Sequence, residues 1–346
     1  MENVRRSPIP TLLIMAALIG GGYYFSQNFK VKGLDQLSVE SRDVSVSEAK
    51  STQVSDSFHY GAGFFDDAEA PAEFVARPDA TVVPRDAHRE TVTVLSWALD
   101  GFGPSKLAND RARQNLVRMI RQYDVIALQQ IQAVERDIIP RLADALNEGS
   151  RRYDFAMGAA DGPADQREQL AILFDTERVL IDRTQVYTIA DPNSQMTFDP
   201  LVAWFQVKGP SSDSAWTFSL VNLRVNLSRA PAEVALLPGI LSSVRNDGRG
   251  EDDVVMAGLF QADDTYLIRR VMGDQTAVAV RSAATDIFGR HQTCNIVMNS
   301  AHTSEYLGRG GPIDFLRKFN LSLSDAETLS HHLPVVAEFT SREGGL

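Results

Sequence analysis

Hydrophobic and polar positions divide this chain at about residue 90. Beyond it, short apolar runs and helical spacings alternate to the end. Thr91–Leu99, TVTVLSWAL, alternates as a β-rich strand. Leu107–Gln122 has helical spacing through Leu116, Met119 and Ile120, with Asn109 placed as its N-cap. Asp124–Leu128 reads as a short buried strand and Ala133–Leu146 as a second helix. Strands are predicted at Gln169–Phe174, Val179–Thr188, Leu201–Val207 and Trp216–Leu223, and an amphipathic helix at Ala230–Val244. Strands at Val254–Ala257, Ala277–Val280, Asn295–Met298 and Val335–Phe339 complete the series. Many strands interleaved with a few helices predict an α/β sandwich, with stacked sheets inside and helices outside. The pattern alone leaves other layered α/β folds open.

The first 90 residues read differently. Residues 1–8 form a short basic tail carrying Arg5 and Arg6. Ile9–Phe25 is uncharged and mostly apolar, at the short end of the roughly 17–25 residues that a spanning helix needs. Tyr23 and Tyr24 close it, where aromatic side chains favour the membrane interface. No A-x-A-like cleavage site follows, so the segment reads as an uncleaved transmembrane signal anchor rather than a cleaved signal peptide or a core helix. Arg5 and Arg6 are nearly balanced by Lys30 and Lys32 across the run. The expected topology is single-pass in a bacterial-type inner (cytoplasmic) membrane, with the C-terminal domain outside the cytoplasm. Residues 26–90 are rich in Ser, Pro and acid and read as a disordered linker, interrupted by Phe58, Tyr60, Phe64 and Phe65. A globular domain is expected over 91–341, with a tail at 342–346.

Composition narrows the chemistry. A hydrophobic content of 44% over 346 residues supports a full core. The net charge of −11 argues against a broad nucleic-acid-binding face, because phosphate binding is carried mainly by Lys and Arg. The lone cysteine, Cys294, excludes an intrachain disulfide and a Cys-rich metal cluster.

The most informative run is Val254–Leu267, VVMAGLFQADDTYL. It resembles the G-D-F-N-A-D-x-x-Y strand of the endonuclease/exonuclease/phosphatase superfamily, the DNase I-like fold. Other stretches match the same family in its order: SWALDGFGPSK (96–106), YDVIALQQIQ (123–132), REQLAILFD (167–175), FDPLVAWFQV (198–207) and LSHHLPVVAEF (329–339). The resemblance covers nearly all of 91–340 and implies a four-layer αββα sandwich. It also implies phosphodiester hydrolysis with Mg²⁺ or Mn²⁺ held by carboxylates, and a His–Asp pair for proton transfer. Carried over position by position, however, the first-strand Asn is Ala98 and the metal-binding Glu is Gln130. The His expected nine residues before Glu233 is Arg224. The Asp and Asn of the G-D-F-N strand are Leu259 and Gln261. The Asp that usually precedes the R-I-V strand falls at Cys294, and the Asp of the closing S-D-H is His331. Glu168 and His332 alone match the family's catalytic positions.

A leucine neither binds a metal nor moves a proton. No metal-ligand set is therefore expected, and Mg²⁺ or Mn²⁺ enters only if the domain is active. The expected reading is a membrane-anchored pseudoenzyme with a binding or scaffold role, its cleft offering Arg224 and Arg167 to an anionic or phosphorylated ligand. The alternative is an active hydrolase rebuilt around Glu168, His332 and Asp263. Structural roles compete for each residue. Glu168 can pair with Arg224, Asp263 and Asp264 can cap a helix, His332 can bond within its loop, and Cys294 can be inert packing.

Overall fold

The computed structural model describes residues 90–191 and 193–344. The expected anchor, its basic tail, the aromatic cluster at 58–65 and all but the last residue of the linker lie outside the described residues. Among those described, no helix is long and apolar enough to cross a membrane.

The strands are β1 (Thr91–Phe102), β2 (Val125–Gln132), β3 (Tyr153–Met157), β4 (Glu168–Asp175), β5 (Val179–Ile181), β6 (Tyr187–Thr188) and β7 (Leu201–Val207). They continue with β8 (Thr217–Arg224), β9 (Val254–Leu259), β10 (Thr276–Val278), β11 (Cys294–Asn299), β12 (Tyr306–Pro312) and β13 (Val335–Thr340). One sheet runs in the order β12-β13-β1-β2-β4-β3. The other runs β10-β11-β9-β8-β7-β5, with β6 on β7. β1 and β2 pair in parallel, as do β8 and β9.

Period-two alternation sets the layers. In β1, Val92, Val94 and Ala98 join the core between the sheets. Leu95, Trp97 and Leu99 join a second core with Leu116 and Ile120, from the helix Asp110–Ile120, and Leu142, from the helix Ile138–Asn147. On the far sheet Val221, Met256 and Val297 pack with Val234, Leu237 and Val244 of the helical segment that follows β8. The order is therefore helix, sheet, sheet, helix, as the resemblance implies.

One polar bridge crosses the apolar middle. Gln129 Nε2 donates to Asn222 Oδ1 (2.7 Å), and Asn222 Nδ2 donates to the carbonyls of Leu128 (3.0 Å) and Ala171 (2.9 Å). It ties β2 and β4 to β8 and fixes the register of one sheet over the other.

Three elements differ from expectation for local reasons. Asn109 does cap a helix, accepting from Ala112 N at 3.1 Å, but it also ends a separate short helix, Pro104–Ala108. The single strand expected over Val179–Thr188 is β5 and β6, because Asp182 accepts from Thr184 N (2.9 Å) and turns the chain through a 3₁₀ segment. The helix expected over Ala230–Val244 is Ala230–Val234 and Leu237–Arg245, each with proline in its first turn.

Candidate functional site

Strand pairing carries the sequence-predicted positions to one end of the sandwich. Gln132 faces Glu168 across β2 and β4, and Ala98 faces Gln129 across β1 and β2. Leu259 faces Arg224 on one side and Cys294 on the other. Register shifts between Ala98 and Phe102 and between Leu128 and Ile131 bend the rim. Asp100, Gln130 and Gln261 adopt left-handed backbone there, at φ 50°, 59° and 55°. Such strain in residues other than glycine persists only where the surroundings hold it.

An ion pair occupies the floor. Arg224 Nε lies 2.5 Å from Glu168 Oε2, and Nη2 donates to Oε1 at 3.0 Å. Both side chains are under a tenth exposed. The guanidinium also stacks over Phe198, 4.3 Å from the ring centroid. Burial raises the Glu168 pKa, and Arg224 opposes that rise. Gln130 is engaged as well, its Oε1 accepting from Asp100 N at 3.1 Å. Ala98 and Leu259 are fully buried in the core between the sheets.

The histidines diverge, as adjacent side chains in extended backbone do. His331 points outward into an ion pair with Asp100 and stacks on Phe288, 5.9 Å between centroids. Burial works to raise the Asp100 carboxyl, but the bond to His331 and the charges of His331 and Lys106 hold its pKa below the ordinary value. His332 points inward, with Nδ1 3.4 Å from Thr293 Oγ1 and 3.8 Å from Cys294 Sγ. Its backbone is anchored too. Trp97 Nε1 donates to its carbonyl (2.9 Å), and its N donates to Ser330 Oγ (2.9 Å). Burial pushes the imidazole below the ordinary histidine value, so the neutral ring is favoured. Cys294 is buried, and burial pushes its thiol up to about 12. It is a protonated packing group at neutral pH, not a nucleophile.

The residues do not fit a catalytic Mg²⁺ or Mn²⁺. Those ions need several oxygen donors, chiefly carboxylates. Here Glu168 holds a guanidinium against the oxygen that would face the ion, Gln130 gives its carbonyl oxygen to Asp100 N, and Leu259 offers nothing. Nor does the floor offer an anion site. Arg224 is consumed by Glu168, and Arg167 donates to the Ala160 carbonyl. The adjoining cavity, about 130 Å³, is lined by Asp161, Glu168, Asp199, Thr188 and Phe198. This corrects the expectation that Arg224 and Arg167 would cradle an anion.

Asp263 caps the turn after β9, accepting from Tyr266 N at 2.7 Å, and Asp264 Oδ1 accepts from Ser282 N at 3.1 Å. Three contributors escaped the sequence reading. Asp100 belongs to the Asp-Gly turn inside SWALDGFGPSK, which is the signal that could have shown it on the rim. Phe288 and Arg290 sit in a loop that bridges to His332 through Asp286. Phe288 is 43% exposed, and Arg290 lies over its ring at 5.5 Å.

Two mixed sheets faced by helices, with a rim built at one end, define a DNase I-like sandwich. The chain's sequence and fold are similar to those of the endonuclease/exonuclease/phosphatase superfamily. It is 25% identical over 267 residues to deoxyribonuclease gamma of Rattus norvegicus, covering 71% of this chain and 83% of that protein. It is 23% identical over 268 residues to deoxyribonuclease-1 of Bos taurus, covering 72% and 93%. Among solved structures, D. rerio TDP2 complexed with single strand DNA product superposes with a TM-score of 0.50 at 19% identity, covering 72% of this chain and 98% of that one. The endonuclease/exonuclease/phosphatase family protein from Leptotrichia buccalis C-1013-b gives 0.50 at 13%, covering 72% and 99%. No family model matches the chain.

Proposed function

We propose that this chain carries a DNase I-like domain that no longer hydrolyses phosphodiesters and instead binds a ligand at its rim, tethered to a membrane by residues 9–25. The buried Glu168–Arg224 pair carries the non-hydrolytic half. It locks Glu168, one of the two retained family positions, into an ion pair with the residue that stands at the family's histidine position. Loss of a catalytic metal removes several kcal/mol of transition-state stabilisation, and His332 is left without a carboxylate partner. The expectation against nucleic acid rested on net charge, and relatives named deoxyribonucleases weigh against it. The rim supports a local contact despite the acidic chain. An exposed aromatic ring beside Arg290 and His331 suits a stacked base and a nearby phosphate.

The test uses the purified full chain on plasmid DNA and on a simple aryl phosphodiester, with Mg²⁺, Mn²⁺ or Ca²⁺. No cleavage is expected, while a fluorescent single-stranded oligonucleotide binds and loses affinity in Phe288→Ala and Arg290→Ala. Turnover that disappears in His332→Ala would overturn the non-hydrolytic reading. One observation favours a second reading, a rebuilt hydrolase. The Asp100–His331 pair lies next to His332 and could move a proton. Turnover lost in both His331→Ala and Asp100→Asn would establish it.

A further inference from the structure

The opposite end of the sandwich holds a separate group of carboxylates. Asp253 precedes β9, whose other end is Leu259 at the cleft. Glu305 precedes β12, and Glu343 follows β13. Carboxylate oxygens of the three lie within 4.8 Å of one another. Asp253 is 3% exposed and Glu305 1%, while Glu343 is exposed and forms the mouth.

Each carboxylate has one oxygen fixed by a neutral donor. Trp216 Nε1 donates to Asp253 Oδ2 (3.1 Å), Gly344 N to Glu305 Oε1 (2.7 Å) and Thr217 N to Glu343 Oε1 (2.7 Å). The remaining oxygens of the two buried residues, Asp253 Oδ1 and Glu305 Oε2, have no hydrogen-bond partner of good geometry, and the buried Thr303 hydroxyl lies beside Asp253. The neighbouring charges that act on Asp253, Glu305 and then Glu251, are both negative. Buried carboxylates without partners are costly and are ordinarily paired or bound to metal. Here the donors are all oxygen, they come from three separate segments, and they combine carboxylates with a hydroxyl. That is the chemistry of a hard cation, and the irregular spacing suits the larger ion with flexible coordination.

We propose that Asp253, Glu305 and Glu343, with the Thr303 hydroxyl, form a Ca²⁺ site that clamps the C-terminal segment against the starts of β8 and β9. The site is independent of the cleft and of the ligand proposed there.

The experiment is calorimetric titration and thermal unfolding of the full chain in detergent, stripped with chelator and given Ca²⁺ alone. One Ca²⁺ per chain should bind. Tm should rise by about 5–10 °C at a hundredfold excess over Kd. Glu305→Gln and Glu343→Gln should lose the shift, while Asp274→Asn, at an exposed position outside the cluster, keeps it. Absence of heat and of a Tm shift in the wild-type chain overturns the proposal. So does a Ca²⁺ response that survives unchanged in both Gln variants.

Discussion

Arg224 stands where a relative would place a histidine, and it changes what its neighbour can do. A carboxylate facing solvent can ligate an ion, whereas one held 2.5 Å from a buried guanidinium is already neutralised. Removing one partner leaves the other charged and buried. Glu168→Gln should therefore cost about 3–5 kcal/mol in urea unfolding. Glu168→Gln combined with Arg224→Met should recover most of that loss, because a buried pair replaced by apolar volume is often neutral. An additive double variant would show that the two side chains do not interact. His332 gives a pH signature. Its folded pKa lies below the unfolded value of about 6.5, so the unfolded chain binds more protons in that window. The sign follows: this contribution is complete above about pH 6.5 and is lost as pH falls through the folded value. Urea midpoints measured from pH 7 to 5 should decline, and decline less in His332→Gln.

At the scale of the element, β8 and β9 run in parallel so closely that Gly258 has no room for a side chain. A Cβ there would lie 2.0 Å from the Leu223 carbonyl oxygen. Gly258→Ala should push the strands apart at the step that aligns Arg224 with Leu259, destabilising the domain by about 3 kcal/mol or more in chemical unfolding. A variant of wild-type stability would contradict the packing. Elements of strong periodicity were legible in the sequence: β1, β2, β7, β8 and the helix Asp110–Ile120 fall where their apolar spacing puts them. β12 was not, since YLGRGGP carries glycines and a proline that disfavour strands and alternates nothing. Its pairing to β13 supplies what its composition lacks. Asn109 and Asp263 were readable as caps, because capping is settled within a turn of the chain.

For the whole molecule, net charge and the proposed tether set the expected behaviour. An acidic chain that touches nucleic acid only at a rim, through one arginine, should bind weakly and lose only about threefold in affinity over a fourfold rise in salt. Raising NaCl from about 50 to 200 mM in the anisotropy assay should show the dependence. Salt-insensitive binding would point to contacts other than phosphate. The anchor makes a separate prediction. The full chain should sediment with membranes and resist alkaline carbonate, and deletion of residues 9–25 should release it. A full chain that is extracted by carbonate would remove the tether.

The sequence by itself determined an α/β domain of many strands and few helices, and its family resemblance added the sandwich and singled out Ala98, Gln130 and Leu259 as departures. Periodicity and residue identity are local quantities and can be read in one dimension. Only the tertiary structure decided which groups the surviving residues meet. Glu168 and Arg224 are joined across two sheets, Asp100 reaches His331 from the other end of the domain, and Asp253, Glu305 and Glu343 converge from three segments. Charge pairing and burial depend on distances that chain order does not contain. The same carboxylate can therefore be a ligand, half of an ion pair or a buried acid, according to what the fold brings against it.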